Sequence, residues 1–348
     1  MRFTGLKYLQ LLACLGLFAC GSAERYDVVI VGGGASGTAA GLQAARMGAR
    51  TLIVEEFDWL GGMLTSAGVS ATDGNYRLRG GIWDEFRTEL ARHYGCDSAL
   101  MTGWVSNVLF EPSVGDSIFK RLVAREPNLT VWYRSAAEMA ERGKDVWRLG
   151  VRRDGRLRPV EADVLVDATE LGDVARMAGV PYDVGMDSSA VTHEDIAPAE
   201  ANGIVQDLTY VAVLKDYGRD VTIPRPDGYD PSLSACCCVN DLCVAPKEPH
   251  RMWSREMMIT YGKLPNGKYM INWPIEGNDY YVDMIDMTPE GRADAVRRAK
   301  NHTLSFVYFL QHELGFNTLG LADDEFPTDD RLPFIPYPVS YTHLTLPT

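Results

Sequence analysis

Hydrophobic positions near the start of the chain predict a strand, a helix and a second strand. Residues 27–31 form an almost unbroken β-branched run, which is typical of a strand buried in a parallel sheet. Residues 35–47 are rich in alanine and glycine, so they predict a helix that packs closely on a sheet, and Gly48 follows as a helix stop. Residues 50–54 are again apolar. Together these segments predict a βαβ unit of fewer than thirty residues.

The middle of the chain continues with both kinds of element. Hydrophobic periodicity predicts helices over residues 80–94 and 114–125, and a strand over 128–133. Residues 136–160 alternate between apolar and polar positions, which predicts an antiparallel meander. Residues 162–167 then predict another buried strand. The order of elements indicates an α/β fold.

Residues 186–285 differ in composition from the segments before them. They carry many of the prolines, a cluster of cysteines and strand-like aromatic runs such as 268–273, so they predict a separate β-rich lobe. Thr288 and Pro289 predict the start of a long helix, with threonine as the N-cap and proline at the first helical position. Apolar residues then recur at helical spacing until Gly315, which predicts the helix end.

A glycine-rich turn follows the first strand with the pattern Gly32-x-Gly34-x-x-Gly37, which predicts a dinucleotide-binding loop. Gly32 permits the tight turn, Gly34 lets the backbone approach a pyrophosphate, and Gly37 lets helix and strand pack closely. The helix N-terminus supplies N–H groups for the phosphates. Glu55, at the end of the second strand, can accept hydrogen bonds from ribose hydroxyls and disfavours a 2′-phosphate, so NADP is not expected.

Two further segments favour FAD over NAD, since both cofactors use this loop. Residues 60–63 are Leu-Gly-Gly-Met, and residues 164–173 lead from a strand into a small-residue turn and an acid. The second segment resembles the Ala-Thr-x-x-Gly-Asp element of two-dinucleotide-binding-fold flavoproteins. That resemblance implies that Asp173 binds a ribityl hydroxyl and that residues 61–65 are the family's Gly-Gly-x-x-Thr loop beside the isoalloxazine ring.

The resemblance covers residues 26–338 and points to FAD-dependent oxidoreductases of secreted bacterial carbohydrate- and nutrient-processing settings. It includes the segments 80–86, 272–274, 278–279 and 332–337, although their aromatic residues Trp83, Phe86 and Trp273 fit a hydrophobic core equally well. The implied FAD contacts are Gly32, Gly34, Ala35, Ser36, Gly37, Glu55, Glu56, Gly61, Gly62, Met63, Thr65, Ala168, Thr169, Gly172 and Asp173.

The fold class we expect is α/β, with a Rossmann-like FAD-binding domain, a β-meander and a β-rich substrate lobe. The expected segments are a leader over 1–23, the FAD-binding domain over 24–185, the substrate lobe over 186–287, a helix with the start of a return to the FAD domain over 288–338, and an artefactual tail over 339–348.

The function we expect is hydride transfer between flavin N5 and a small organic, possibly sugar-like, substrate. The alternatives are an NAD-dependent dehydrogenase and a lipoprotein that binds flavin without catalysis. The electron acceptor is not identified by the sequence. We expect no metal, because the cysteine cluster lacks ligand spacing and nearby histidine. A net charge of −13 makes nucleic acid an unfavourable partner.

The catalytic acid or base is unknown from the sequence. Asp73 and Tyr76 are candidates because they follow the loop expected beside the isoalloxazine ring. His302 and His312, near the long helix, are better explained as structural or solvent-facing. The histidine candidates by residue type alone are His193, His250, His302 and His312.

The first 23 residues have the features of an export signal. Arg2 and Lys7 precede an apolar run of the length of a secretory h-region, and Cys20 follows in a lipobox-like context. We expect lipidation at Cys20 and a periplasmic or cell-envelope location with membrane association. Cleavage after Ala23, which would release a soluble protein, and a buried N-terminal strand are the alternatives.

Cys236, Cys237, Cys238 and Cys243 form the cysteine cluster. They fit buried free thiols, a disulfide such as Cys238–Cys243, or redox and metal chemistry. Residues 339–348 resemble the translation of a sequencing adapter, so we expect the natural protein to continue beyond Pro338 with the family's arginine-rich segment and last strand and helix.

Overall fold

A computed structural model describes residues 23–247 and 251–338. The predicted leader with Cys20, the candidate His250 and the tail over 339–348 lie outside the described residues. The described chain divides into two compact units. The first contains residues 23–59 and 122–181, and the second contains residues 60–121 and 182–338.

The first unit is built on a six-stranded sheet with the order β3-β2-β1-β6-β5-β4. The strands β1, β2, β3 and the last part of β6 are parallel, and β4, β5 and β6 form the predicted antiparallel meander. Helix α1 (Ala35–Arg46) joins β1 to β2, as predicted. The strands are β1 (Glu24–Val31), β2 (Thr51–Val54), β3 (Leu129–Trp132), β4 (Ser135–Arg142), β5 (Trp147–Arg153) and β6 (Arg156–Asp167).

Close packing of α1 on the sheet depends on its small residues. A Cβ atom on Gly41 would lie 2.6 Å from Cδ1 of Ile53 in β2, so a larger side chain would push the helix away. The apolar core of this unit contains residues from the parallel strands, the antiparallel meander and the short helix that follows β6. They are Tyr26, Val29, Val31, Leu52, Val54, Trp132, Ala140, Leu149, Val151, Val160, Ala162 and Val174.

Residues 162–167 lie in a strand, as predicted, but the prediction that this strand is buried is wrong. Ala162 is fully buried, but Val164, on the same face, is 51% exposed. The reason is that β5 begins at Trp147, opposite Ala162, so the rest of β6 pairs only with β1. The segment is also the end of a longer strand that begins at Arg156.

The second unit has two three-stranded sheets, β10-β7-β12 and β11-β8-β9. Their strands are β7 (Leu208–Thr209), β8 (Ala212–Asp216), β9 (Lys268–Ile271), β10 (Asp279–Tyr280), β11 (Leu319–Leu321) and β12 (Tyr337–Pro338). The first unit contains a second helix, α4 (Asp173–Met177). The other described α-helices are α2 (Gly81–Tyr94), α3 (Pro112–Val123), α5 (Ser189–Thr192), α6 (Arg255–Thr260) and α7 (Pro289–His312).

Residues 186–285 contain less strand than their sequence predicts. Their described residues contribute only four short strands, β7 to β10, which are connected by loops, turns and short helices. Prolines such as Pro224, Pro226 and Pro231 explain part of this, because proline has no N–H for a strand ladder. Residues 60–121, predicted as part of the first domain, group with the second unit.

The long helix α7 begins as its sequence predicts. Pro289 occupies the first helical position, and the Thr288 hydroxyl accepts a hydrogen bond from the N–H of Gly291 at 3.2 Å. Val307 and Leu310 on its predicted apolar face are fully buried. Across residues 23–247 and 251–338, none of the helices has the length and apolar character needed to cross a bilayer.

Candidate functional site

The glycine-rich turn of the first unit leaves no room for side chains. Gly32 has a φ of 100°, and a Cβ atom there would lie 2.2 Å from the carbonyl oxygen of Ala168. A Cβ atom on Gly37 would lie 2.0 Å from the carbonyl oxygen of Gly32. Glycine is therefore required at both positions, for conformation at the first and for close approach at both.

The N-terminus of α1 presents backbone N–H groups at the same turn. Gly34 is its N-cap, with φ −60° and ψ −177°, and among the described residues no side chain caps the helix there. Ala35 and Ser36 are the first helical residues. The Thr38 hydroxyl donates to the carbonyl of Gly33 at 2.8 Å and so stabilises the turn. This arrangement is typical of a phosphate-binding helix N-terminus.

Glu55 lies buried at the carboxyl end of β2 and faces this turn. Its carboxylate accepts the N–H of Gly33 at 2.6 Å through one oxygen and the N–H of Phe57 at 2.9 Å through the other. Burial raises the pKa of Glu55 to about 7, although these two hydrogen bonds act in the opposite direction and Glu56 and Glu170 add to the rise. Each oxygen keeps a lone pair that can accept a ribose hydroxyl. Glu56, the neighbouring candidate, is exposed.

A turn organised by Asp167 follows β6. One carboxylate oxygen of Asp167 accepts both the N–H of Thr169 at 2.9 Å and its hydroxyl at 2.6 Å. The other oxygen accepts the N–H of Ala175 in α4 at 2.7 Å. Asp167 was not among the predicted site residues. The signal that could have identified it is an acid at the last position of an apolar strand.

The predicted Gly172-Asp173 element forms the end of this turn. Gly172 is in the left-handed region, with φ 67° and ψ 28°, and precedes α4. The N–H of Asp173 donates to the Thr169 hydroxyl at 2.9 Å. The Asp173 carboxylate lies 3.1 Å from the Arg176 guanidinium, and both side chains are partly exposed. A ribityl hydroxyl would therefore share this carboxylate with Arg176.

The two predicted segments meet where the strand order of the sheet changes direction. The N–H of Ala168, after β6, donates to the carbonyl of Val31 at the end of β1 at 2.8 Å. Open α/β sheets bind ligands at such a switch point, next to the carboxyl ends of the neighbouring parallel strands. The tight glycine turn, the uncapped helix N-terminus and the buried Glu55 fit the pyrophosphate and adenosine part of FAD.

The predicted flavin loop, residues 61–65, lies in the second unit and is held by internal hydrogen bonds. Gly61 has a φ of 108°, and a Cβ there would lie 2.7 Å from the ring of Phe119. The Thr65 hydroxyl is buried and donates to the carbonyl of Leu60 at 2.6 Å. Gly62 also has a positive φ, and Met63 is half-buried. The Thr65 hydroxyl therefore helps to hold the shape of this loop.

The segment after this loop contains buried hydroxyl groups that have no partner among the described residues. They belong to Ser66, Ser70 and Thr72. An unsatisfied buried hydroxyl costs free energy, so such groups indicate a missing partner. The carbonyl of Ser66 accepts the N–H of Phe334 at 3.0 Å, which joins the segment to the region of residues 332–337. The sequence pattern gave no indication of these hydroxyls.

Most histidine and loop candidates are not gathered into one site. His193 is exposed at the end of α5, and His312 is exposed and lies 3.2 Å from Glu313. Asp73 is exposed, and its charge contributes to a raised pKa of Tyr261, for which burial is the main cause. Tyr76 is half-buried, with the Arg77 guanidinium over its ring.

His302 and Asp279 form a pair of titratable groups in the second unit. Burial lowers the pKa of His302, although hydrogen bonds to the backbone of Gly277 and Asp279 oppose this. Burial raises the pKa of Asp279, although the hydroxyl of Thr209 is hydrogen-bonded to its carboxylate; the charge of Asp207 adds to the rise. Asp279 was not a predicted site residue, although it belongs to one of the resembling segments.

Aromatic side chains cluster in the same unit. Tyr261 and Trp273 have ring centroids 5.2 Å apart, and Trp104 lies 4.9 Å from both Tyr261 and Trp253. A small apolar cavity of about 10 Å³ is lined by Tyr261, Trp273 and Phe306 among others. This is about the space that one water molecule needs, so the cavity does not define a substrate site.

A buried ion cluster joins several segments of the second unit. Lys268 Nζ lies 2.7 Å from both Glu111 Oε1 and Glu325 Oε2, and all three side chains are buried. Burial acts to lower the pKa of Lys268, but the two carboxylates outweigh it and raise the pKa well above its ordinary value. In the part of the chain that is described, no group of three or more acidic, histidine or cysteine side chains could hold a metal.

Comparison with known proteins places these features in a family. The model of the family described as "FAD dependent oxidoreductase" matches residues 27–337. The NADH:fumarate oxidoreductase of Klebsiella pneumoniae (strain 342) is 44% identical over 63 residues, which are 18% of this chain and 7% of that protein. The chain thus spans only a small part of the curated relative that it matches.

Solved structures of other proteins show lower identity. A geranylgeranyl bacteriochlorophyll reductase-like protein from Thermoplasma acidophilum is 20% identical, with a TM-score of 0.38, over 56% of this chain and 48% of that one. The p-nitrophenol 4-monooxygenase of Pseudomonas putida DLL-E4 is 12% identical, with a TM-score of 0.38, over 80% of this chain and 62% of that one. The match over residues 27–337 is the decisive finding: the chain belongs to the FAD-dependent oxidoreductase family, and its cofactor is FAD.

Proposed function

We propose that this flavin oxidoreductase transfers a hydride between a small organic, possibly sugar-like, substrate and FAD. The observation that carries the proposal is the nucleotide site of the first unit, where Gly32, the N-terminus of α1 and the buried Glu55 meet. Bound flavin supplies the redox chemistry by accepting or donating a hydride at N5.

The residues of the first unit bind the cofactor in this proposal. The backbone N–H groups of Ala35 and Ser36 hold the pyrophosphate, and Glu55 accepts the ribose hydroxyls. Asp173 holds a ribityl hydroxyl beside its ion pair with Arg176. Asp167 keeps the turn in place for this contact, because it binds the N–H groups on both sides of the turn.

In the second unit, the buried hydroxyls of Ser66, Ser70 and Thr72 are proposed to bind polar atoms of a ligand. Their lack of a partner among the described residues supports this role. We propose Asp279 as the group that takes or gives the substrate's proton, because its carboxylate is held by the Thr209 hydroxyl next to a second titratable residue, His302, and because burial raises its pKa.

The test of cofactor binding is the visible spectrum of the full chain after incubation with FAD and removal of unbound cofactor. We expect the two absorption bands of oxidised flavin to remain with the protein. If the folded chain retains NAD but no flavin in parallel incubations, the NAD-dependent alternative is favoured over this proposal.

The test of the reaction is anaerobic loss of the flavin absorption in the FAD-loaded chain, with a panel of aldoses, alditols and 2-hydroxy acids. Asp279→Asn is expected to slow the reduction by ~10²–10⁴-fold and to remove one limb of its pH profile. Asp283→Asn, an exposed acid nearby, is the matched control. Tight FAD binding with no reduction by any compound would favour the non-catalytic alternative.

A further inference from the structure

Four cysteines of the second unit lie within eight residues, and their sulfur atoms differ in state. Cys236 and Cys243 form a disulfide that closes residues 236–243, which we name the cysteine loop. Cys237 and Cys238 are buried free thiols within it, and their Sγ atoms lie 3.9 Å apart. A disulfide and two contacting thiols therefore share one short loop.

Hydrogen bonds independent of the disulfide also hold the cysteine loop. The Glu276 carboxylate accepts the N–H of Cys236 at 3.3 Å and the N–H of Lys247 at 2.8 Å, so it connects the start of the loop to the segment that follows it. The indole N–H of Trp273 donates to the carbonyl of Cys237 at 2.8 Å. Because these contacts do not depend on the S–S bond, the disulfide can open without release of the loop.

Asn240 holds Cys238 and Cys243 at the same turn. Its side-chain Nδ2 donates to the Cys238 carbonyl at 2.7 Å and lies 3.9 Å from the Cys238 Sγ, and its backbone carbonyl accepts the N–H of Cys243 at 3.4 Å. The thiol of Cys237 donates to the Cys238 sulfur and lowers the pKa of Cys238; burial opposes this, while Asn240 and the charge of Arg255 reinforce it. Cys238 is therefore the sulfur most suited to nucleophilic attack, since the thiolate is the reactive form.

We propose that the cysteine loop is a thiol–disulfide exchange site, in which the disulfide moves from Cys236–Cys243 to Cys238–Cys243. The Cys238 thiolate attacks the Cys243 sulfur, the Cys238–Cys243 bond forms and the Cys236–Cys243 bond breaks. Cys236 leaves as a thiolate and takes up the proton that Cys238 lost, so the step involves no net oxidation. Cys243 is half-buried while the other three are buried, so small thiols and disulfides in solution reach the site through Cys243.

The first test traps the second pairing. Cys236→Ser in the full chain is oxidised with glutathione disulfide, which is reduced to two glutathione molecules for each protein disulfide formed. We expect a Cys238–Cys243 linkage in tandem mass spectra of the digested protein. Cys236→Ser with Cys237→Ser should keep the linkage, and Cys236→Ser with Cys238→Ser should leave Cys243 open to alkylation.

The second test uses the unmodified sequence and does not depend on a variant that folds. The chain is held with a trace of reduced glutathione, quenched with acid, unfolded in acidic guanidinium chloride and alkylated with excess N-ethylmaleimide, so that buried thiols are reached. Cys237, a buried free thiol that takes no part in the exchange, reports complete labelling. We expect part of the protein to carry the label on Cys236 with Cys238 protected.

Two results would overturn the proposal. One is a folded Cys236→Ser chain in which Cys243 stays free or pairs with Cys237. The other is a chain of unmodified sequence in which Cys237 is fully labelled after unfolding and Cys236 is never labelled. Neither result depends on FAD binding, so failure here is separate from failure of the proposed flavin function.

Discussion

At residue scale, Gly32 and Gly48 differ in what a side chain added at each position would meet. Both have a strongly positive φ, 100° and 96°, but only Gly32 faces other atoms at the position of a Cβ. Around Gly48 the described residues leave that position open. Backbone strain therefore applies at both positions, and steric conflict with the end of β6 applies at one.

Gly32→Ala is expected to destabilise the protein by several kcal/mol and to abolish FAD retention. The added Cβ would have to displace the Ala168 carbonyl, which lies at the nucleotide site. Gly48→Ala should cost ~1–2 kcal/mol, from backbone strain alone, and keep FAD. Urea unfolding and flavin retention of both variants check this, and equal losses in the two would contradict it.

Glu55 makes a stability contribution that depends on pH. Its pKa rises from 4.5 to about 7 on folding, mainly through burial. Between these values the folded state keeps a proton that the unfolded state has lost, so the free energy of unfolding falls as pH rises through this window. The cost is absent below the unfolded pKa and complete above the folded one.

Relative to Glu55→Gln, the FAD-free wild-type chain should lose about 3 kcal/mol of unfolding free energy as pH rises through this window, since each pKa unit is worth ~1.4 kcal/mol. Urea unfolding of both proteins below pH 4.5 and above pH 7 measures the difference. Asp58→Asn is the control, because Asp58 is exposed in its ion pair with Arg134 and should change little. A pH-independent difference would contradict the assignment.

At the scale of elements, Asp167 connects β6, the following turn and α4. It accepts three hydrogen bonds, two from Thr169 and one from Ala175. Asp167→Asn would turn an NH₂ group towards at least one of these donors and lose the charge that strengthens the rest. We expect a loss of ~1.5–3 kcal/mol and weaker FAD binding.

Chemical unfolding and FAD titration of Asp167→Asn check that prediction. Asp163→Asn is the matched control on the same strand, because Asp163 is partly exposed and pairs with an exposed Arg25. The control should keep both stability and FAD affinity. Equal behaviour of the two variants would assign Asp167 no special role.

Lys268 connects β9 to the segments that precede α3 and follow β11. Lys268→Met would leave Glu111 and Glu325 buried without their cation, at a cost of ~3–5 kcal/mol. Lys215→Met removes a partly exposed ion pair with Asp323 and should cost ~0–1 kcal/mol. Thermal or urea unfolding of both variants checks the contrast, and similar losses would contradict it.

At the scale of the whole molecule, FAD binding should stabilise the folded chain by mass action. At a concentration about 100 times the Kd, a ligand of the folded state adds ~2.7 kcal/mol. We expect a rise in Tm with FAD and little change with riboflavin, which lacks the pyrophosphate and adenosine that the first unit binds. Differential scanning calorimetry measures both, and an equal shift with riboflavin would contradict the nucleotide site.

The sequence by itself determined the features that depend on neighbouring residues. The βαβ unit, the Gly32 turn, Glu55 at the end of β2, the meander and the N-cap of α7 all follow from local periodicity and turn chemistry. These rules act over a few residues, where backbone conformation and hydrophobic period fix the structure. Membership of an FAD-binding family followed from two such local motifs at the correct separation.

Only the tertiary structure decided which distant residues meet. The contact of Gly32 with Ala168, the burial of Lys268 between Glu111 and Glu325, and the loss of burial at Val164 depend on packing between remote segments. The pairing of Cys243 with Cys236 rather than Cys238 is likewise a matter of how the cysteine loop turns. No local pattern encodes such contacts, because each partner satisfies its own local rules without the other.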